Sequence, residues 1–290
     1  KTRAVIATHM HGYPADVGEI RRAVGDERVL IVEDAALALR PATPDRGGIS
    51  GDVAFYSFGR GKQLYTITGG VMVTDSTSIY EKLNAHRDRD MNQLPISAWA
   101  RRRLQVLTAY MALSGSLEER VMRVKNVGMV NRTRKAVGLV RDDLPQDYAT
   151  AYADFQGRIG LAQLRKLDAA LARTRSIAEF YNRELQHIPG LTVAPMIPGS
   201  TYPSFTVRVE QRDRIGFRKR MLDQGIEVGT NFRYTLPQLD AYRAYADGPC
   251  PRAEQAAREV VNLPSYPGLS MAEARRVVEC TRSILQECYA

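Results

Sequence analysis

Three side chains of complementary chemistry stand at the ends of neighbouring apolar runs. Asp34 closes Ile31-Val32-Glu33-Asp34, and Ser57 closes Val53-Ala54-Phe55-Tyr56-Ser57. Lys62 follows in the glycine-flanked stretch Ser57-Phe58-Gly59-Arg60-Gly61-Lys62. Open α/β sheets bind ligands beyond the ends of their strands, which is where all three residues fall. A lysine amine condenses with an aldehyde as a Schiff base, a carboxylate keeps a proton on a pyridine nitrogen, and a hydroxyl takes part of a phosphate. Together those tasks describe the handling of pyridoxal 5'-phosphate. Taken singly they say little, because an Asp after a strand is often a helix cap and a loop lysine is usually only solvated. The weight lies in their occurring together and in this order. Arg60, two residues before the lysine, meets either a phosphate or solvent.

Such a set needs a sheet to carry it. Ala4-Val5-Ile6-Ala7-Thr8, Val29-Leu30-Ile31-Val32, the run from Val53 to Phe58, and Val71-Met72-Val73-Thr74 read as four strands. Their unbroken apolar character, alternating with helical spacing at residues 15–24 and 76–86, predicts an α/β layer covered on both faces. Asp16 is the expected N-cap of the first helix. Residues 94–140 read as helical and basic. One long helix is expected after Pro145, through Phe155, Ile159, Leu164 and Leu167 to residue 184, with Pro189-Gly190 beyond its end. The remainder predicts a smaller α/β unit. It has strands at 203–209 and 226–230, helices at 212–224 and 253–261, and a last helix opened by a Ser270–Glu273 capping box. The expected division is a large domain over residues 1–180 and a small one over 181–290.

With 290 residues, 44% of them hydrophobic and 25% charged, the chain has room for one large or two moderate domains. The longest apolar stretch, near residues 104–113, is broken by Gln105 and Thr108 and falls short of the roughly 20 residues a membrane span needs. Three cysteines without a CxxC pair, and four histidines, offer neither a disulfide framework nor a zinc spacing, so no metal is expected. Lys1-Thr2-Arg3 leads straight into a strand-like run, not a signal peptide, and the expected compartment is the cytoplasm. The net charge of +9 is uneven: residues 96–141 hold ten basic residues against Glu118 and Glu119. That segment suits docking to something anionic, namely a nucleotide diphosphate, a phospholipid headgroup or a partner protein, or else it is a solvated helical hairpin. Trp99 and three consecutive arginines beside a short apolar face also fit weak membrane-surface contact. No nucleic-acid reading motif accompanies the charge, so nucleic acid is not an expected partner.

Longer stretches carry a resemblance. They are His9-Met10-His11-Gly12-Tyr13-Pro14-Ala15-Asp16, Val32-Glu33-Asp34-Ala35-Ala36, Gly51-Asp52-Val53-Ala54-Phe55-Tyr56-Ser57-Phe58 with Lys62, and Gly69-Gly70-Val71-Met72-Val73-Thr74. Gln156 with Ile159-Gly160-Leu161-Ala162-Gln163-Leu164, then Gly225-Ile226 and Val261-Asn262-Leu263-Pro264, extend it along nearly the whole chain. The sequence resembles the DegT/DnrJ/EryC1/StrS sugar aminotransferases. That resemblance implies an α/β fold-type-I pyridoxal-phosphate enzyme with a small C-terminal α/β domain, usually a homodimer with its sites at the interface. It implies transfer of an amino group from glutamate or glutamine to a keto sugar on a nucleotide, in polysaccharide or glycoconjugate synthesis. Lys62 would be the Schiff-base lysine, Asp34 the partner of the pyridine nitrogen and Ser57 a phosphate ligand. A retained lysine speaks against the family's dehydratase branch, which carries His there.

The departures are specific. Where the family usually has a Gln reaching the cofactor ring, this chain has Leu37, which donates nothing. Ala149 and Ala151 align with an Asn and an Arg that reach the partner subunit's site, and Asn231 with a His. The family's first third, with its phosphate-clamping Gly-Thr turn and its stacking aromatic, has no counterpart, so a fragment is expected. Those substitutions motivate the alternative of a non-catalytic relative that docks through its basic segment.

Overall fold

The computed structural model describes residues 2–39, 49–59, 61–92, 100, 103–104, 148–210, 214–232 and 234–289. Arg60, Trp99 and nearly all of the basic segment at 96–141 lie outside these residues, and so do the docking and membrane-surface expectations attached to that segment.

β1 (Ala4–Thr8), α1 (Val17–Val24), β2 (Leu30–Asp34), β3 (Val53–Ser57) and β4 (Gly70–Val73) form the first unit, with the strands in the order β1-β2-β3-β4. The first three strands are parallel and β4 returns antiparallel to β3, so the sheet is mixed. Local signals set α1. The Asp16 carboxylate accepts the Glu19 N–H at 2.8 Å, and Gly25, at φ 64°, ends the helix. Ala7 and Ile31 pack on Val17 beneath α1. Because side chains alternate across a strand, the same register turns Ile6 and Leu30 to the opposite face, where they are 64% and 41% exposed. β4 is exposed along its whole length. Cover on both faces, as expected, is seen among the described residues only at the start of β3, where the adjacent Val53 and Ala54 are both buried; β1 and β2 leave one face open.

α2 (Thr77–Asp90) starts at its Ser76 cap and runs past His86. The single long helix expected after Pro145 is instead two: α3 (Asp154–Leu164) and α4 (Leu167–Leu185). The joint falls at Arg165-Lys166, where Lys166 donates its N–H to the Gln163 carbonyl at 2.9 Å. Inward-facing residues keep helical spacing across the joint, from Gln156 and Gly160 to Leu167 and Thr174, so spacing alone does not reveal it.

The second unit is a three-stranded antiparallel sheet, β5 (Leu191–Val193), β6 (Phe205–Val209) and β7 (Val260–Leu263), in that order. Around it lie α5 (Arg214–Asp223), α6 (Asp240–Arg243), α7 (Pro251–Glu259) and α8 (Met271–Tyr289). Two expectations are corrected here. Val260 and Val261 are strand, not helix, since β-branched residues buried on both sides favour the pleat. Residues 226–230 form only one bridge, Gly229 to Asn262, instead of a strand. Tyr181, Phe205, Phe217, Met221, Val261 and Leu285 fill the core between this sheet, α4, α5 and α8. The Ser270–Glu273 box closes as expected, with both reciprocal bonds made. The two units meet where the Thr201 N–H reaches the Gly12 carbonyl at 3.1 Å and Tyr13 meets Tyr202 edge-on.

Candidate active site

The three candidate side chains come from adjacent strand ends. Asp34 closes β2 opposite Thr8 of β1 and Phe55 of β3. Its Oδ1 accepts the Ala36 N–H at 3.0 Å, and its other carboxylate oxygen has no hydrogen-bond partner among the described residues. Ser57 ends β3, two residues beyond Phe55 and so on the same face as Asp34. Its hydroxyl accepts only a long bond, 3.4 Å, from the Gly59 N–H. Lys62 is half-buried in the turn that follows. Burial pushes its ammonium pKa below the ordinary lysine value, and the Asp34 charge pulls part of the way back. The fold thus brings Asp34 and Lys62 within electrostatic reach, with Ser57 beside them.

Beneath Asp34 lies a buried hydrogen-bonded pair. His9 Nε2 meets Glu33 Oε2 at 2.8 Å, both side chains fully enclosed. His9 Nδ1 accepts the Ala15 N–H, so the ring proton sits on Nε2 and is donated to Glu33. Glu33 Oε1 accepts the N–H groups of Ser50 and Gly51. The His9 N–H itself bonds the Asp34 carbonyl at 3.0 Å, holding the end of β2.

The lysine loop closes on itself. Phe58 donates its N–H to Gly69 at 2.8 Å and accepts that of Thr66 at 2.9 Å. Gly69 is required at its place: φ is +97°, and a Cβ would lie 2.6 Å from the Tyr152 ring. Gly69→Ala is expected to destabilise the protein by about 1–3 kcal/mol. Urea unfolding checks this, and parental stability in the variant would contradict the close contact.

The divergent positions are engaged in backbone contacts. The Leu37 carbonyl accepts the Thr201 hydroxyl at 3.4 Å. Asn92 pairs with the chain on both sides of Thr150, its N–H to the Ala149 carbonyl at 2.8 Å and its carbonyl to the Ala151 N–H at 2.9 Å. The Asn231 N–H bonds Asn262 Oδ1. Sequence reasoning passed over Gln63 and Thr201. Gln63, next to the lysine, accepts the Leu39 N–H at 2.9 Å and donates to the Thr201 carbonyl at 2.9 Å. No signal within the local stretch marks a partner so far along the chain.

Among the described residues no helix is long and apolar enough to cross a membrane, and no cluster of His, Cys, Asp and Glu could hold a metal.

The chain is similar to known proteins along its length. A dTDP-4-dehydro-2,3,6-trideoxy-D-glucose 4-aminotransferase of Saccharopolyspora spinosa is 28% identical over 96% of this chain and 64% of its own length. A dTDP-3-amino-3,4,6-trideoxy-alpha-D-glucose transaminase of Streptomyces venezuelae is 27% identical over 97% and 63%. The chain thus spans a little under two thirds of these relatives. Among solved structures, the aminotransferase TlmJ of Streptoalloteichus hindustanus superposes with a TM-score of 0.71 at 26% identity, covering 100% of this chain and 67% of its own. DesV of S. venezuelae, solved with a ketimine intermediate, gives 0.70 at 26% identity, covering 98% and 65%. The architecture is accordingly that of the fold-type aminotransferases, an α/β fold with a mixed sheet and flanking helices. The DegT/DnrJ/EryC1/StrS aminotransferase family model matches residues 1–105 and 109–282, and the chain belongs to that family.

Proposed function

We propose that this chain carries the reacting lysine of a pyridoxal-phosphate-dependent sugar aminotransferase. The observation that supports it most is the half-buried Lys62 amine, its pKa lowered by burial, under the influence of the Asp34 carboxylate at a strand end. The donor set fits the cofactor. One Asp34 oxygen has no partner among the described residues, and the Ser57 hydroxyl makes only a 3.4 Å bond, so both can take a ligand without breaking a strong contact. Lys62 would hold the aldehyde carbon, Asp34 the ring nitrogen and Ser57 a phosphate oxygen. When bound, the cofactor supplies an electron sink for the carbon that loses its proton.

The chain's own residues supply the rest. Lys62 Nζ would take a proton from the donor's α-carbon in one half-reaction and deliver one to the carbon receiving the amine in the other, a task that suits an amine whose pKa burial has lowered. The Asp34 carboxylate would hold a proton on the ring nitrogen. His9 and Glu33 fix the strand end that bears it. The remaining parts of the proposal are glutamate or glutamine as donor, a nucleotide-linked keto sugar as acceptor, and polysaccharide or glycoconjugate synthesis as the setting. It includes a homodimer working in the cytoplasm and domains over residues 1–180 and 181–290. The sugar-nucleotide names of the two dTDP-sugar relatives support the acceptor class.

Borohydride reduction in the presence of pyridoxal phosphate, followed by intact mass and peptide mapping, tests the reading. One reduced adduct on Lys62 is the expected result. A protein that binds the cofactor but carries the adduct elsewhere, or none, overturns it.

A further inference from the structure

Lys62 stands in the loop between β3 and β4, whose described residues form no helix or strand, yet the loop is held by side-chain amides. Gln156, 1% exposed, donates from Nε2 to the carbonyls of Thr66 at 3.0 Å and Thr68 at 3.1 Å. Its Oε1 accepts the Ala153 N–H at 3.2 Å, so the buried amide is satisfied at both ends. Gln163 grips Tyr65 twice, accepting its N–H at 3.0 Å and donating to its carbonyl at 2.7 Å. That is the bonding a neighbouring strand would supply, made by one side chain. Between the two lies Gly160, facing Thr66 and Leu64 across ordinary contact distance.

Positions 156, 160 and 163 fall on one stripe of α3, spaced i, i+4 and i+7. In a helix serving only the core this stripe would be apolar. Here it carries two amides and a glycine, and each of them meets the stretch from residue 64 to 68. Immediately after the lysine, Gln63 ties the loop to Leu39 and Thr201. The stretch that follows the lysine is thus tied both to the segment after Asp34 and to the face of α3.

We propose that Gln156 and Gln163 are positioning residues for Lys62, α3 acting through their amides to hold the lysine loop in place against Asp34. The proposal rests on Lys62 being the reacting amine. Neither glutamine is placed in contact with a substrate; each acts through the backbone.

The test uses Gln156→Met and Gln163→Met, which keep side-chain length and remove the amide. In the protein without cofactor, the pH dependence of Lys62 acetylation by acetic anhydride is followed by peptide mass spectrometry. In the protein with pyridoxal phosphate, the pH midpoint of the adduct's visible band is followed. Loosening the loop lets the amine move toward water and away from Asp34. The acetylation midpoint is therefore expected to rise by about one pH unit, since relief from burial outweighs loss of the Asp34 charge. A purely structural role would lower the unfolding temperature and leave both midpoints in the folded protein unchanged; that result overturns the proposal. If Gln156→Met does not fold, Gln163→Met, at the half-buried end of the stripe, decides it. Failure of both to fold also overturns it, because the amides would then be holding the whole fold. An unmodified protein that forms no adduct with pyridoxal phosphate defeats the functional reading alone, since acetylation still reports on the clamp.

Discussion

Lys62→Ala is expected to abolish the borohydride-trapped adduct and to lower amino transfer by about 10³-fold or more. The lysine has two tasks in the proposed function, holding the cofactor covalently and carrying the proton. General acid–base catalysis alone is worth roughly 10²–10⁴-fold, and loss of the covalent link adds to it. Lys62→Arg separates charge from chemistry. A guanidinium keeps the positive charge beside Asp34 but neither condenses with an aldehyde nor gives up a proton near neutral pH. Both variants should therefore be inactive, whereas a role through charge alone would leave the arginine variant working. Single-turnover kinetics with a keto-sugar nucleotide, followed by mass spectrometry of the product, provide the measurement. The non-catalytic alternative makes the opposite forecast, a biological role that persists in Lys62→Ala.

The second large effect concerns stability. Glu33→Leu is expected to cost about 3–5 kcal/mol, since each buried donor left without its partner costs about 1–3 kcal/mol. It strands three donors: the Nε2–H of His9 and the N–H groups of Ser50 and Gly51. His9→Leu strands fewer groups, chiefly the Ala15 N–H and one carboxylate acceptor, and should cost less. The double variant should recover only part of the loss, because the Ser50 and Gly51 donors stay unpaired. Urea unfolding of the three proteins tests that order, and equal losses in the two single variants would contradict it.

The same pair gives an acid signature. Burial pushes the Glu33 carboxyl pKa up, but hydrogen bonds from His9, Gly51 and Ser50 more than offset this and leave it below the ordinary value. A depressed folded-state pKa contributes stability above the unfolded carboxyl value of about 4.3. That contribution is lost as pH falls through the lower folded value. The gap in stability between the parent and Glu33→Gln should accordingly narrow below about pH 4. Melting curves across that range check it.

Much of the architecture was legible because the signals are local. Asp16 caps α1, Ser270 and Glu273 box the start of α8, and the apolar runs ending at Asp34 and Ser57 are strands. Those features depend on residues within a few positions of one another, so spacing and side-chain type suffice. The candidate trio was legible for the same reason, since a strand's end follows from its run. The joint at Arg165-Lys166 was not, because apolar spacing crosses it unchanged. Nor was the strand at Val260–Leu263, whose neighbour in the sheet is β6, far back in the chain.

By itself, then, the amino-acid order determined the kinds of element, their caps and the placing of Asp34 and Ser57 at strand ends with Lys62 in the loop beyond. The tertiary structure alone decided what holds those strand ends and that loop in place. Gln163 meets Tyr65 across 98 positions, and Gln156 meets Thr66 across 90. Gln63 meets Thr201 across 138, and His9 meets Glu33 across 24. Hydrogen bonds act over about 3 Å and carry no mark of sequence distance. Which distant amide lands on the lysine loop is settled only when the packed elements bring the two together.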